Sequence, residues 1–186
     1  MDGLLPHAPY RQWVLVLPKR LRYFVHRNPA LAGEISRILA SAINRFYAER
    51  SGRGGDPSSP CAPAQVLVVQ RFGGKANLHV HLHAVVSDGV FALREGAGGT
   101  GKLQFIPAPE PSPAEIEDLC ERLRRSILRR VVRLGAVPEE SAREMLSRAH
   151  GGFSLDASVS VAADDRPALE RLIRYCLRPA ISLKRL

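Results

Sequence analysis

Three of the six histidines lie within five consecutive positions, in Asn77-Leu78-His79-Val80-His81-Leu82-His83-Ala84-Val85-Val86. Alternation with Val80 and Leu82 has the period of a strand with two unlike faces. A period of two projects His79, His81 and His83 from the same face, about 6.5 Å apart between backbone neighbours. Neutral imidazole offers one N–H donor and one lone pair, and it is the commonest metal-binding side chain. Three imidazoles in an ordinary core would each need a hydrogen-bond partner. The face therefore reads as a site that either holds a divalent ion or handles a phosphate directly. A solvated edge strand is the plain alternative, and the strand by itself leaves all three open.

A second candidate lies far downstream. Leu169, Leu172, Ile173 and Cys176 recur at helical spacing and predict a helix from Arg166 to Leu177. Tyr175 falls at the edge of that stripe, between Arg174 and Arg178. A phenol with the ordinary pKa of about 10 is a poor nucleophile. Flanking guanidinium groups favour the phenolate, and a metal on a scissile phosphate makes that phosphate easier to attack. Lys19, Arg20 and Arg22, with Tyr23 beside them, form a basic cluster suited to a phosphate backbone. Tyr47, by contrast, shares a long apolar stripe with Leu31, Ile35, Leu39, Ile43 and Phe46, and reads as packing.

The elements that position these groups follow from the same patterns. Arg11 to Pro18 predicts a first strand, and a helix follows from Asn28-Pro29, with proline tolerated in the first turn. Gln65 to Phe72 predicts a second strand, joined by a short connection to the histidine strand and so antiparallel to it. Val90 to Leu93 and Lys102 to Pro107 predict further strands around a glycine-rich hairpin loop, Glu95 to Thr100. A long arginine-rich helix spans about Ala114 to Leu134, a shorter one Pro138 to Ala149, and a weakly alternating strand Ser154 to Ala162. This order predicts an α+β fold, a ferredoxin-like antiparallel sheet with extra helices and the histidine strand near its middle. One domain over residues 1–186 is expected.

The formal net charge of +9 favours polyanionic partners, and an apolar content of 45% supports a globular chain. No run approaches the roughly 18 apolar residues of a membrane span, and no signal peptide is visible at the start. Cys61, Cys120 and Cys176 are odd in number and far apart, which indicates neither a disulfide framework nor a thiolate zinc site. A reducing cytosol is the default compartment.

Together, Arg11 to Leu15, Leu17-Pro18, Leu21-Arg22-Tyr23, Gln70-Arg71-Phe72-Gly73, Asn77 to His83, Asp88-Gly89-Val90-Phe91 and Leu169 to Pro179 resemble the insertion-sequence transposases that move by rolling-circle replication. These are tyrosine enzymes of the HUH endonuclease superfamily, named for a histidine-hydrophobic-histidine pair. The resemblance implies that His81 and His83 ligate Mg²⁺ or Mn²⁺, with Gln70 as third ligand and His79 as a supplementary one. It makes Tyr175 the nucleophile of a single-stranded DNA nicking and strand-transfer reaction at transposon ends, through a 5′-phosphotyrosine. Lys19, Arg20, Arg22, Arg71, Arg174 and Arg178 become the expected DNA contacts. The chain also departs from the pattern. Arg171 occupies the place of a second tyrosine, and neither the family's cysteine-rich zinc-binding segment nor its C-terminal extension is evident. Two rivals follow from the same residues. His79 to Val86 also fits a metal-free histidine-triad nucleotide hydrolase or transferase, and a DNA-binding remnant without catalysis fits the charge.

Overall fold

In the computed structural model, residues 5–53, 60–73, 77–94 and 101–178 are described. In chain order the elements are β1 (Tyr10–Val16), α1 (Lys19–Arg27), α2 (Pro29–Arg50), β2 (Cys61–Ala62), β3 (Gln65–Phe72), β4 (Leu78–Ser87), β5 (Gly89–Arg94), β6 (Lys102–Pro107), α3 (Pro113–Arg133), α4 (Glu139–Ser147), β7 (Ser154–Val161) and α5 (Arg166–Cys176). The fold is α+β with two antiparallel sheets, one ordered β3-β4-β1-β7 and the other β2-β5-β6. The histidine strand β4 is thus an inner strand, held by β3 on one side and β1 on the other.

Alternation assigns the two faces of the larger sheet to different partners. Trp13 and Leu15 of β1 and Val80, Leu82, Ala84 and Val86 of β4 pack against the apolar stripes of α1, α2 and α3 in the main core. Each Val or Leu side chain among them removed from water contributes about 1.5–3 kcal/mol. Tyr10, Val85 and Val161 point the other way and meet Leu169, Ile173 and Cys176 of α5. The histidine face is therefore the face that α5 shares. Asp165 caps α5 by accepting from the Ala168 backbone N–H at 2.9 Å, which starts the helix at a defined residue.

A buried polar corner ties β1 to the junction of the two sheets. Arg11 donates to Asp88 Oδ1 at 3.0 Å, to the Ala157 carbonyl at 2.8 Å and to Glu110 at 3.1 Å. Trp13 Nε1–H donates to the Tyr47 hydroxyl at 3.3 Å, and that hydroxyl donates to Asp88 at 2.6 Å. Burial first, and then the Asp88 carboxylate, push the Tyr47 phenol up, so it remains protonated and structural. Asp88→Ala should lower the unfolding free energy by about 3 kcal/mol, because the buried guanidinium keeps only the exposed Glu110 as a carboxylate partner. Chemical denaturation checks this.

Helix α1 differs from the sequence expectation, which marked Lys19 to Tyr23 as a basic cluster and gave it no element of its own. Its inward stripe is only Leu21 and Val25, too short to register as a helical period. Pro29 holds Asn28 extended (φ −124°, ψ 95°), which separates α1 from α2. Arg124 of the arginine-rich helix α3 is buried, unlike most of its arginines, and donates to the Leu146 and Arg148 carbonyls at 2.6 and 3.1 Å, closing the end of α4. The glycine-rich loop expected over residues 95–100 lies outside the described residues. Among the described residues, no helix is long and apolar enough to cross a membrane.

Candidate active site

The register sets the site. His83 stands opposite Val14 of β1 and Val68 of β3; His81 stands opposite Val16 and Gln70. The rings follow one another along a single face, with centroids 5.1 Å apart for His79 and His81 and 4.8 Å for His81 and His83. The sequence expectation left this whole face open, but α5 closes one end of it. His83 is 4% exposed, whereas His79 and His81 are only half-buried. Tyr175, 52% exposed at the end of α5, stands edge-on to His83 with ring centroids 6.1 Å apart. The Arg178 guanidinium lies 6.0 Å from the Tyr175 ring.

The hydrogen bonds dictate which imidazole nitrogens are free. His81 Nδ1 is 2.6 Å from the His79 carbonyl oxygen, which can only accept. Nδ1 therefore carries the proton, and Nε2 keeps its lone pair. His83 Nδ1 is 2.9 Å from the Gln12 side-chain amide, which also lies 3.3 Å from Cys176 Sγ. His83 Nε2 is buried and has no hydrogen-bond partner among the described residues. If the Gln12 amide donates to Nδ1, a buried Nε2–H is left with nothing to accept it, at a cost of about 1–3 kcal/mol. With the amide in the opposite orientation, Oε1 takes both the Nδ1–H and the Cys176 thiol, and Nε2 presents a lone pair into the site. That second arrangement is the usual support for a metal-ligating histidine. Burial, and secondarily His81, lower the His83 pKa to about 4, which keeps it in the neutral form a metal needs.

Gln70 is brought to the same place by a different route. Its amide N–H donates to the Cys176 carbonyl at 2.7 Å and so closes the last turn of α5. Its Oε1 is then the atom able to ligate beside His81. Burial, and then Arg22, lower the His79 pKa. Among the described residues no three His, Cys, Asp or Glu side chains converge as a metal-binding group. The residues fit a divalent ion held by the Nε2 atoms of His81 and His83, with an oxygen donor such as Gln70 beside them.

The expected DNA contacts separate into two groups. Arg22, half-buried and donating to the Leu17 carbonyl at 2.7 Å, lies near His79, and Arg178 lies beside Tyr175. Lys19 and Arg71 are exposed, while Arg20 is paired with Glu144 and Arg174 with Glu170. Sequence reasoning did not single out Gln12. The signal was present: a polar side chain on the histidine-facing register of an otherwise apolar strand, Trp13 to Val16.

Residues 65–186 match the model of a protein family described as "Putative transposase". The chain belongs to this transposase family. The match covers β3 onward, and with it the histidine strand and the tyrosine helix of the transposase. No curated protein and no solved structure matches the chain.

Proposed function

We propose that this transposase nicks and rejoins single-stranded DNA at transposon ends by the rolling-circle, HUH-type route, with Tyr175 as nucleophile and His81, His83 and Gln70 as ligands of Mg²⁺ or Mn²⁺. The observation that carries this reading is the edge-on approach of Tyr175 to His83, whose buried Nε2 lacks a partner. A bound ion would polarise the phosphate oxygens. Tyr175 Oη attacks the phosphorus and gives its proton to solvent, to which this half-exposed side chain is open. The bond from phosphorus to the 3′-oxygen breaks, and that oxygen takes a proton from solvent and leaves as a 3′-hydroxyl. The 5′-phosphotyrosine retains the ester energy, so a later 3′-hydroxyl can reverse the exchange without ATP. Arg178, whose guanidinium lies 6.0 Å from the Tyr175 ring, would attract the phosphate.

Arg171, exposed one turn before Tyr175, stands where a second tyrosine would stand, which favours a one-tyrosine cycle. Incubation with single-stranded end sequences and Mn²⁺, followed by denaturing electrophoresis, should reveal a covalent protein–DNA adduct. Binding without any adduct under Mg²⁺ or Mn²⁺ would support the DNA-binding remnant instead.

The Gln12 arrangement makes its own prediction. Gln12→Leu removes the acceptor for His83 Nδ1–H and should weaken Mn²⁺ binding about tenfold or more, by analogy with other supporting residues of metal sites. Titration calorimetry measures this directly, without reference to turnover.

A further inference from the structure

Helix α1, Lys19-Arg20-Leu21-Arg22-Tyr23-Phe24-Val25-His26-Arg27, contains no acidic residue. Leu21 and Val25 bury themselves in the core beside Val80 and Leu82 of the histidine strand. The outer side of the helix carries two neighbouring aromatics that the core does not use. Tyr23 is 51% exposed and Phe24 39%. Their rings meet edge-to-face with centroids 5.8 Å apart. The Arg27 guanidinium lies 5.3 Å from the Tyr23 ring and donates to its hydroxyl.

The same helix reaches the open end of the histidine face. His26 meets Phe72, at the end of β3, with ring centroids 5.6 Å apart, and Phe72 pairs with Leu78, the residue before His79. Two exposed aromatic rings on a helix whose charged side chains are all basic suit a ligand with both flat apolar faces and negative charge. A nucleic-acid strand with unpaired bases has both, whereas a duplex hides its base faces.

We propose that Tyr23 and Phe24, flanked by Arg22 and Arg27, form a stacking platform for unpaired bases of the DNA strand that enters the site past His79. This rests on the reading of the site as one that handles single-stranded DNA. Stacking is tolerant of sequence, because every base has a π-face, and the neighbouring guanidiniums supply phosphate contacts.

The test is equilibrium binding, by fluorescence anisotropy, of a labelled single-stranded oligonucleotide and of a duplex of equal length. Tyr23→Ala/Phe24→Ala should lose roughly tenfold or more in affinity for the single strand and keep its affinity for the duplex. The slope of log K against log salt should not change, since no phosphate contact is removed. Tyr23→Phe alone, which keeps the ring, should bind as the unaltered protein does. A single-strand loss below twofold, or an equal loss on the duplex, overturns the proposal. So does self-association of the unaltered protein that the double variant abolishes while single-strand affinity stays the same, because the patch would then be a contact between copies. Both residues are exposed, so the fold should survive, and a thermal melt confirms it. The assay needs no cleavage: the platform fails or stands on binding, while the nicking chemistry fails or stands on the covalent adduct.

Discussion

Tyr175→Phe is expected to abolish covalent attachment to DNA while leaving affinity for single-stranded DNA within about twofold. The substitution removes one oxygen from an exposed ring, and among the described residues no hydrogen bond of that hydroxyl holds the fold together. The ring contacts with His83 and Arg178 remain. Unfolding should therefore be unchanged, while adduct formation falls by roughly 10⁴-fold or more, as when other enzymes lose a covalent nucleophile. Denaturing electrophoresis of the protein–DNA mixture reads the adduct, and anisotropy reads the binding. An adduct that persists in the Phe variant would remove Tyr175 from the mechanism.

His81→Ala and His83→Ala should each abolish the metal-dependent adduct, yet they should differ in stability. His81 is half-buried, and among the described residues its ring bonds only to the neighbouring His79 carbonyl, so its loss should leave unfolding nearly unchanged. His83 is buried and bonded to Gln12, so its removal opens a gap and strands a buried amide, costing about 1–3 kcal/mol. The pH dependence should differ as well. In the ion-free fold His83 stays neutral down to about pH 4, whereas the unfolded chain takes up that proton near the ordinary value of about 6.5. The stability linked to His83 is thus present above about pH 6.5 and is lost as pH falls towards 4. Urea midpoints across that window should fall less steeply in His83→Ala than in the unaltered protein. Mn²⁺ titration of both variants checks the ligand assignment. Full activity in EDTA would instead favour the metal-free histidine-triad chemistry.

Much of the architecture was legible because local pattern and tertiary burial agree. The alternation in β4, the stripes of α2 and α3 and the proline and glycine punctuation marked these elements within a residue or two of their bounds. Helix α1 was not legible, since two apolar residues make no period. The two-residue strand β2 was too short to leave a pattern. Arg124 looked like one more solvated arginine of α3, and nothing local could reveal that two carbonyls of another helix lie under it.

The site divides along the same line. Residue type and a period of two determined that three imidazoles share one face, and residue type alone marked Tyr175 as a phenol between arginines. Those are local properties, written in neighbours along the chain. Only the tertiary structure decided that α5 covers one end of that face. It thereby buries His83 but not His81, stands Tyr175 against His83, and turns Gln12 and Cys176 into parts of the same network. The physical reason is that β1, β4 and α5 come from three distant stretches of chain. Their contacts depend on how strands pair and which sheet face a helix covers, and no spacing within any one stretch records that.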